Sequence, residues 1–152
     1  MSECRHHVLV RAPIERVWEL VGNPARHPEW FPRVMEVRGD RYDVGDVYVQ
    51  VTRNPLGAQT TKLKIDRLEE MRELHFHCRD TGMYVHWLLT PARDDTFVEA
   101  EFGMEPLALT YRAFDATVGR MYFRRWLNAS LKALEREARA MSPADPAQLP
   151  PD

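Results

Sequence analysis

Four polar side chains of this chain could do chemistry together: His75, His77, His86 and Glu101. The spacing His-x-His puts two imidazoles on one face of a strand, and two histidines with a carboxylate are a familiar metal set. Their neighbours argue against that use. The same alternation sets them opposite Phe76, Val85 and Phe102, on the polar face of the strands, where cross-strand His–Glu pairs are ordinary. No metal and no other cofactor is assigned. Glu99 and Glu101 also share a strand face. Retaining glycoside hydrolysis needs carboxyls about 5 Å apart in a cleft, one with its pKa raised by burial, whereas this pair points at solvent. Tyr111 and Tyr122 are the acid–base candidates, because a phenol can donate to a carbonyl oxygen as it gains charge. His27, Trp30 and Phe31 cluster in one turn, either as core plugs or as aromatic walls that stack on a flat ligand.

These residues need elements to position them. An N-terminal β-rich run ends in Ala12-Pro13, and a helical segment then carries Val17, Trp18, Leu20 and Val21. Arg33 to Arg38 is a further strand candidate. Five later segments alternate with period two, as half-buried strands do. In the first, Val47, Val49 and Val51 are read as inward and Tyr48 and Gln50 as outward. The others bury Leu63 and Ile65; Leu74, Phe76 and Cys78; Met83, Val85, Trp87 and Leu89; and Val98, Ala100 and Phe102. A four-residue turn at Arg79 to Gly82 would pair Cys78 with Met83, Phe76 with Val85, Leu74 with Trp87, His77 with Tyr84 and His75 with His86. A one-residue slip would mix the two faces.

The spacing predicts a last helix from about Arg112 to Met141, N-capped by Thr110 and ended by Ser142-Pro143. Phe123, Leu127, Leu131, Leu134 and Ala138 form its apolar stripe, with Arg124, Arg125, Lys132 and Arg136 facing out. Gly119, midway, costs about 1 kcal/mol relative to alanine; it leaves room for a ligand or allows a bend.

The 152 residues suffice for one domain, residues 1–141, followed by a Pro-rich, disordered tail at 142–152. A net charge of −2 with interspersed signs gives no polyanion footprint. Arg120, Arg124, Arg125 and Lys132 share a helix with Glu135 and Glu137, so nucleic acid is excluded as a partner. Two cysteines make no disulfide framework, MSECRHH is too polar for a signal peptide, and no apolar run reaches membrane-span length. The expected location is the cytoplasm.

The stretch Val8 to Phe31, followed by strands and one long helix, resembles the SRPBCC superfamily (START-like, birch-pollen-allergen-like). Within it, the chain is similar to the polyketide cyclase/dehydrase and lipid-transport group, over Arg5 to Ala140. The resemblance implies an α+β helix-grip fold, β-α-α-β-β-β-β-β-β-α, with a strongly curved antiparallel sheet wrapped around the C-terminal helix. It also implies a ligand cavity between sheet and helix, its mouth near the short N-terminal helices. Val49, Leu63, Ile65, Phe76, Met83, Val85, Trp87, Val98, Ala100, Phe102, Phe123 and Trp126 would then line that cavity, with His27, Trp30 and Phe31 at its mouth. Leu56, in the turn Asn54-Pro55-Leu56-Gly57, would form an apolar lip.

The hairpin Gly82 to Trp87 and the strand end Phe102-Gly103-Met104-Glu105-Pro106 look like the aromatase/cyclase subgroup. There an arginine near Arg67 orients an oxyanion or enol. Thr61 and Leu63 stand where that subgroup favours bulky tryptophans. The leading expectation is a carrier or sequestering protein for a hydrophobic polyketide-, aromatic- or lipid-like molecule, acting as a monomer or homodimer. The alternative is a polyketide aromatase/cyclase using Arg67, Tyr111 or Tyr122 as proton donors. A self-resistance or protein-interaction module is the third reading.

Overall fold

A computed structural model describes residues 2–105 and 109–140. Strand β1 (Ser2–Val10) leads into α1 (Ile14–Val21), a single 3-10 turn (Pro24–Arg26) and the short α2 (His27–Trp30). Six strands follow: β2 (Val34–Arg38), β3 (Val47–Asn54), β4 (Gly57–Glu69), β5 (Glu73–Cys78), β6 (Met83–Ala92) and β7 (Asp95–Met104). Helix α3 (Leu109–Phe114) continues through a π-helical turn (Asp115–Gly119) into α4 (Arg120–Ala140). The seven strands form one antiparallel sheet in the order β1-β7-β6-β5-β4-β3-β2. Strand β1 therefore closes on β7, the last strand made. This is the expected α+β arrangement, with the long C-terminal helix packed on the sheet. The expected tail, 142–152, lies outside the described residues.

Local chemistry explains the elements. Pro13, extended at φ −66°, starts α1, which buries Val17, Leu20 and Val21. Its end is tight: the Gly22 N–H donates to the Trp18 carbonyl at 2.7 Å. A Cβ at Gly22 would lie 2.3 Å from the Trp18 ring, so only glycine admits that approach. The β5–β6 register is the one read from alternation: Leu74 faces Trp87, His75 faces His86, Phe76 faces Val85 and His77 faces Tyr84. The stripe of α4 is likewise as read, with Phe123, Leu127, Leu131, Leu134 and Ala138 buried.

Three expectations are corrected. Strand β3 is inverted: Tyr48 and Gln50 are buried, and Val49 sits on the outer face. The partner strand decides this, because directly opposed residues share a face. Tyr48 opposes Leu63 and Gln50 opposes Thr61, both inward, whereas Val49 opposes Lys62. Arg67 is also turned outward. The β4–β5 ladder slips between Ile65 and Arg67, and the extra residue, Asp66, resets the alternation so that Leu68 rather than Arg67 points in. Finally, Leu109 and Thr110 are both helical, so Thr110 lies within the helix rather than capping it.

The middle of the molecule is solid. Phe31 stacks on Trp30 and Trp126, with ring centroids 5.0 and 5.2 Å apart. Trp87 meets Trp30, Phe31 and Phe102 edge-to-face at 5.7 to 5.9 Å. The Trp30 indole N–H donates to the Leu20 carbonyl at 3.0 Å, tying α2 to α1.

Candidate functional site

Among the described residues, this packing leaves space at one end of the α4–sheet interface, lined by no residue of α1 or α2. A cavity of about 680 Å³ opens between the β3–β4 hairpin, the start of β6, the end of β7 and the helical segment from α3 into α4. Thr52, Asn54, Gln59 and Thr61 give it a polar sheet side. Tyr111, Phe114, Val118, Met121, Tyr122 and Phe123 give it a largely apolar helix side. Cys78, Met83, Met104 and Trp126 also line it, and Arg33 and Arg125 supply its cations.

The sequence positions each part. Asn54 Oδ1 accepts from the Leu56 N–H at 2.9 Å, closing the hairpin turn, and Leu56 at its tip is fully exposed beside the opening. On the facing side the π-helical turn widens the helix by one residue and brings Val118 to the cavity. Thr117 Oγ1 donates to the Ala113 carbonyl at 2.8 Å, giving a partner to an acceptor in the widened turn. The β3 inversion is what makes the sheet side polar. The strand presents Tyr48, Gln50, Thr52 and Asn54 inward, and the Gln50 amide donates to Thr52 Oγ1 at 3.1 Å.

The titratable groups in the cavity are few. Burial pushes the Tyr122 phenol above its ordinary pKa, while Arg33 pulls it partly back. The Arg33 guanidinium lies over the Tyr122 ring, 4.7 Å from its centroid. Tyr122 is therefore a neutral O–H donor at physiological pH rather than a base. No carboxylate lines the cavity among the described residues.

The sequence signature of the polyketide cyclase/dehydrase and lipid transport family matches residues 1–139. The chain belongs to that family. No curated relative matches by sequence. Solved structures agree on the fold. A START superfamily protein from Mycobacterium smegmatis superposes with TM-score 0.73 at 14% identity, covering 93% of this chain and 99% of its own. A protein from Thermus thermophilus gives 0.74 at 15% identity, covering 92% and 99%. The Zhui aromatase/cyclase from a Streptomyces species gives 0.62 at 18% identity, covering 95% and 96%.

On this family fold, six residues singled out from sequence line the cavity: Leu56, Met83, Tyr111, Tyr122, Phe123 and Trp126. The others do not. His27, Trp30, Phe31, Leu63, Ile65, Phe76, Val85, Trp87, Val98, Ala100 and Phe102 are buried in the packed core, where large aromatic rings fill the space that a ligand would need. Val49 is on the outer face. Arg67 is outside too, its side chain 69% exposed and 3.8 Å from Glu73. Sequence reasoning missed Arg33, Thr52, Gln59, Phe114, Val118 and Met121. A signal was there for Phe114, Val118 and Met121, apolar residues three or four apart before Phe123.

The histidine face is a separate depression of about 650 Å³ on the opposite side of the sheet. Asp66 bonds both His75 Nδ1 and His77 Nδ1, at 3.0 and 2.8 Å. His86 pairs with Glu73, and Glu101 with Arg5. Each of these carboxylates already has a basic partner, and among the described residues no three potential ligands converge for a metal. Among the same residues, no helix is long and apolar enough to cross a membrane.

Proposed function

We propose that this protein binds one hydrophobic small molecule, polyketide-, aromatic- or lipid-like, in the cavity beside α3 and α4, as a carrier or sequestering protein. The carrying observation is the cavity itself. Its volume lies within the range of about 300–1,000 Å³ that small-molecule sites occupy, and aromatic and aliphatic side chains dominate its helix side. Burial of apolar ligand surface supplies the affinity, at about 25 cal/mol per Å² before ordering costs. The reading places the protein in the cytoplasm, where Cys4 and Cys78 stay as free thiols. The test is incubation with flat polyphenols and fatty acyl compounds, followed by recovery of the protein and mass analysis. The expected result is one molecule per chain, chemically unchanged; a transformed product formed only with protein defeats the carrier reading.

A second reading, a cyclase, is favoured by two phenols in the cavity wall, Tyr111 and Tyr122, and by likeness in fold to an aromatase/cyclase. Catalysis would then consist of holding a reactive chain folded while Tyr122 donates a proton to the carbonyl oxygen that gains charge. Arg67, on the outer face, has no place in that chemistry. Under this reading Tyr122→Phe lowers turnover of a polyketide surrogate by about 10²-fold or more with affinity largely kept. Under the carrier reading it changes affinity slightly and nothing is turned over.

A further inference from the structure

Arg33 stands in the left-handed region, at φ 73°, which side-chain-bearing residues rarely adopt. The surrounding chain holds it there. The Pro32 carbonyl accepts from the Trp126 indole N–H at 2.7 Å, and the Arg33 carbonyl accepts from the Arg53 N–H at 2.7 Å. The turn is thus fastened to α4 on one side and to β3 on the other, and its side chain emerges into the cavity between them. Strain of this kind, fixed by its surroundings, tends to cluster at ligand sites.

Among the described residues, no acid answers the charge of that side chain: no carboxylate pairs with Arg33, and the lining contains two arginines and no acid. The guanidinium carbon lies over the Tyr122 ring, and the group also shares a hydrogen bond with the Tyr122 side chain. A guanidinium carries five N–H donors, so those that Tyr122 does not engage remain for a two-oxygen anion such as a carboxylate. The neighbouring polar groups, Thr52, Asn54 and Gln59, offer only neutral hydrogen bonds.

We propose that Arg33 anchors an anionic group of the bound ligand, a carboxylate, so that the cavity takes amphipathic acids. The apolar body lies along α3 and α4, and the anionic end sits on the guanidinium. This inference rests on the cavity being the ligand site.

Anilinonaphthalene sulfonate and N-phenylnaphthylamine share their rings and differ in the sulfonate, so their affinities isolate the anion. Both are titrated against the wild type, Arg33→Gly, Arg33→Gln and Thr61→Phe, the last placing a ring in the cavity. Glycine suits the φ of position 33, so Arg33→Gly should melt no lower than the wild type. The wild type should bind the sulfonate at least about tenfold more tightly than the neutral probe, a preference that both Arg33 variants abolish while neutral-probe affinity changes by less than about twofold. Thr61→Phe should weaken both probes. If Thr61→Phe weakens both but the sulfonate preference is missing, or survives in Arg33→Gly, the anchor is overturned and the cavity reading stands. If Arg33→Gly weakens both probes equally without a change in melting, Arg33 is cavity wall and the anchor is again overturned. If Thr61→Phe weakens neither probe, the site lies elsewhere and both readings fall.

Discussion

His27 shows how one side chain links burial to pH. Its Nε2–H donates to the Val21 carbonyl at 2.9 Å, so the lone pair is on Nδ1, which has no protein partner. Trp30 and Phe31 meet the ring edge-on at 5.7 and 5.4 Å. Burial pushes its pKa down to about 4. Because the folded pKa lies below the ordinary value near 6.5, the folded chain binds fewer protons between those pH values. His27 thus imposes no penalty above pH 6.5, and stability is lost as pH falls from 6.5 towards 4. Urea unfolding at pH 7 and pH 4.5 should show the wild type losing about 2–3 kcal/mol more than His27→Gln over that interval. Equal losses would contradict a neutral, buried imidazole. Trp87, with no exposed surface, belongs to the same packing. Trp87→Ala should cost about 3–5 kcal/mol in denaturant melts; a small loss with altered probe affinity would make it cavity wall instead. Alternation made Trp87 legible from sequence. For Arg67 the surface reading was already the better one from sequence, and the extra residue Asp66, which nothing in Ile65-Asp66-Arg67 announces, is what turns it outward; Arg33 was missed because its importance comes from a backbone angle.

The elements were more legible than the single residues, where one face was clearly apolar. The β5–β6 hairpin has unambiguous faces, so its register followed from sequence alone. Strand β3 misleads instead, since Val47, Val49 and Val51 form its more apolar row and only pairing with β4 selects Tyr48 and Gln50 for the interior. The inversion is open to test. Tyr48→Ala should cost about 3–5 kcal/mol, whereas Val49→Thr should stay within about 0.5 kcal/mol. The opposite ranking in equilibrium unfolding would mean that the valines face the core. The π-helical turn left no trace in the sequence either. Gly119 in the helix hinted at an irregularity, but a glycine signals neither a widened turn nor the side of the helix that it opens.

At the scale of the whole molecule, the question is where an aromatic-rich interior leaves room. Family likeness implies a cavity between sheet and helix, and a sequence counts apolar residues without saying which of them touch each other. Phe31, Trp87, Phe102 and Trp126 interlock and close the centre, so the open volume moves to the α3 end, where shorter side chains such as Thr52, Thr61 and Val118 face one another. Adding bulk therefore has opposite effects in the two regions. Ala100→Trp or Val85→Trp should overpack the core and lower the melting temperature, not act as a plug. Thr61→Phe should keep the fold and fill the cavity. The most direct check of the central claim is calorimetric titration of N-phenylnaphthylamine into the wild type and Thr61→Phe at several temperatures. The account predicts one site per chain in the wild type, with a negative heat-capacity change from apolar burial, and little or no binding in Thr61→Phe. No saturable binding to the wild type, or the same affinity in both proteins, would contradict it.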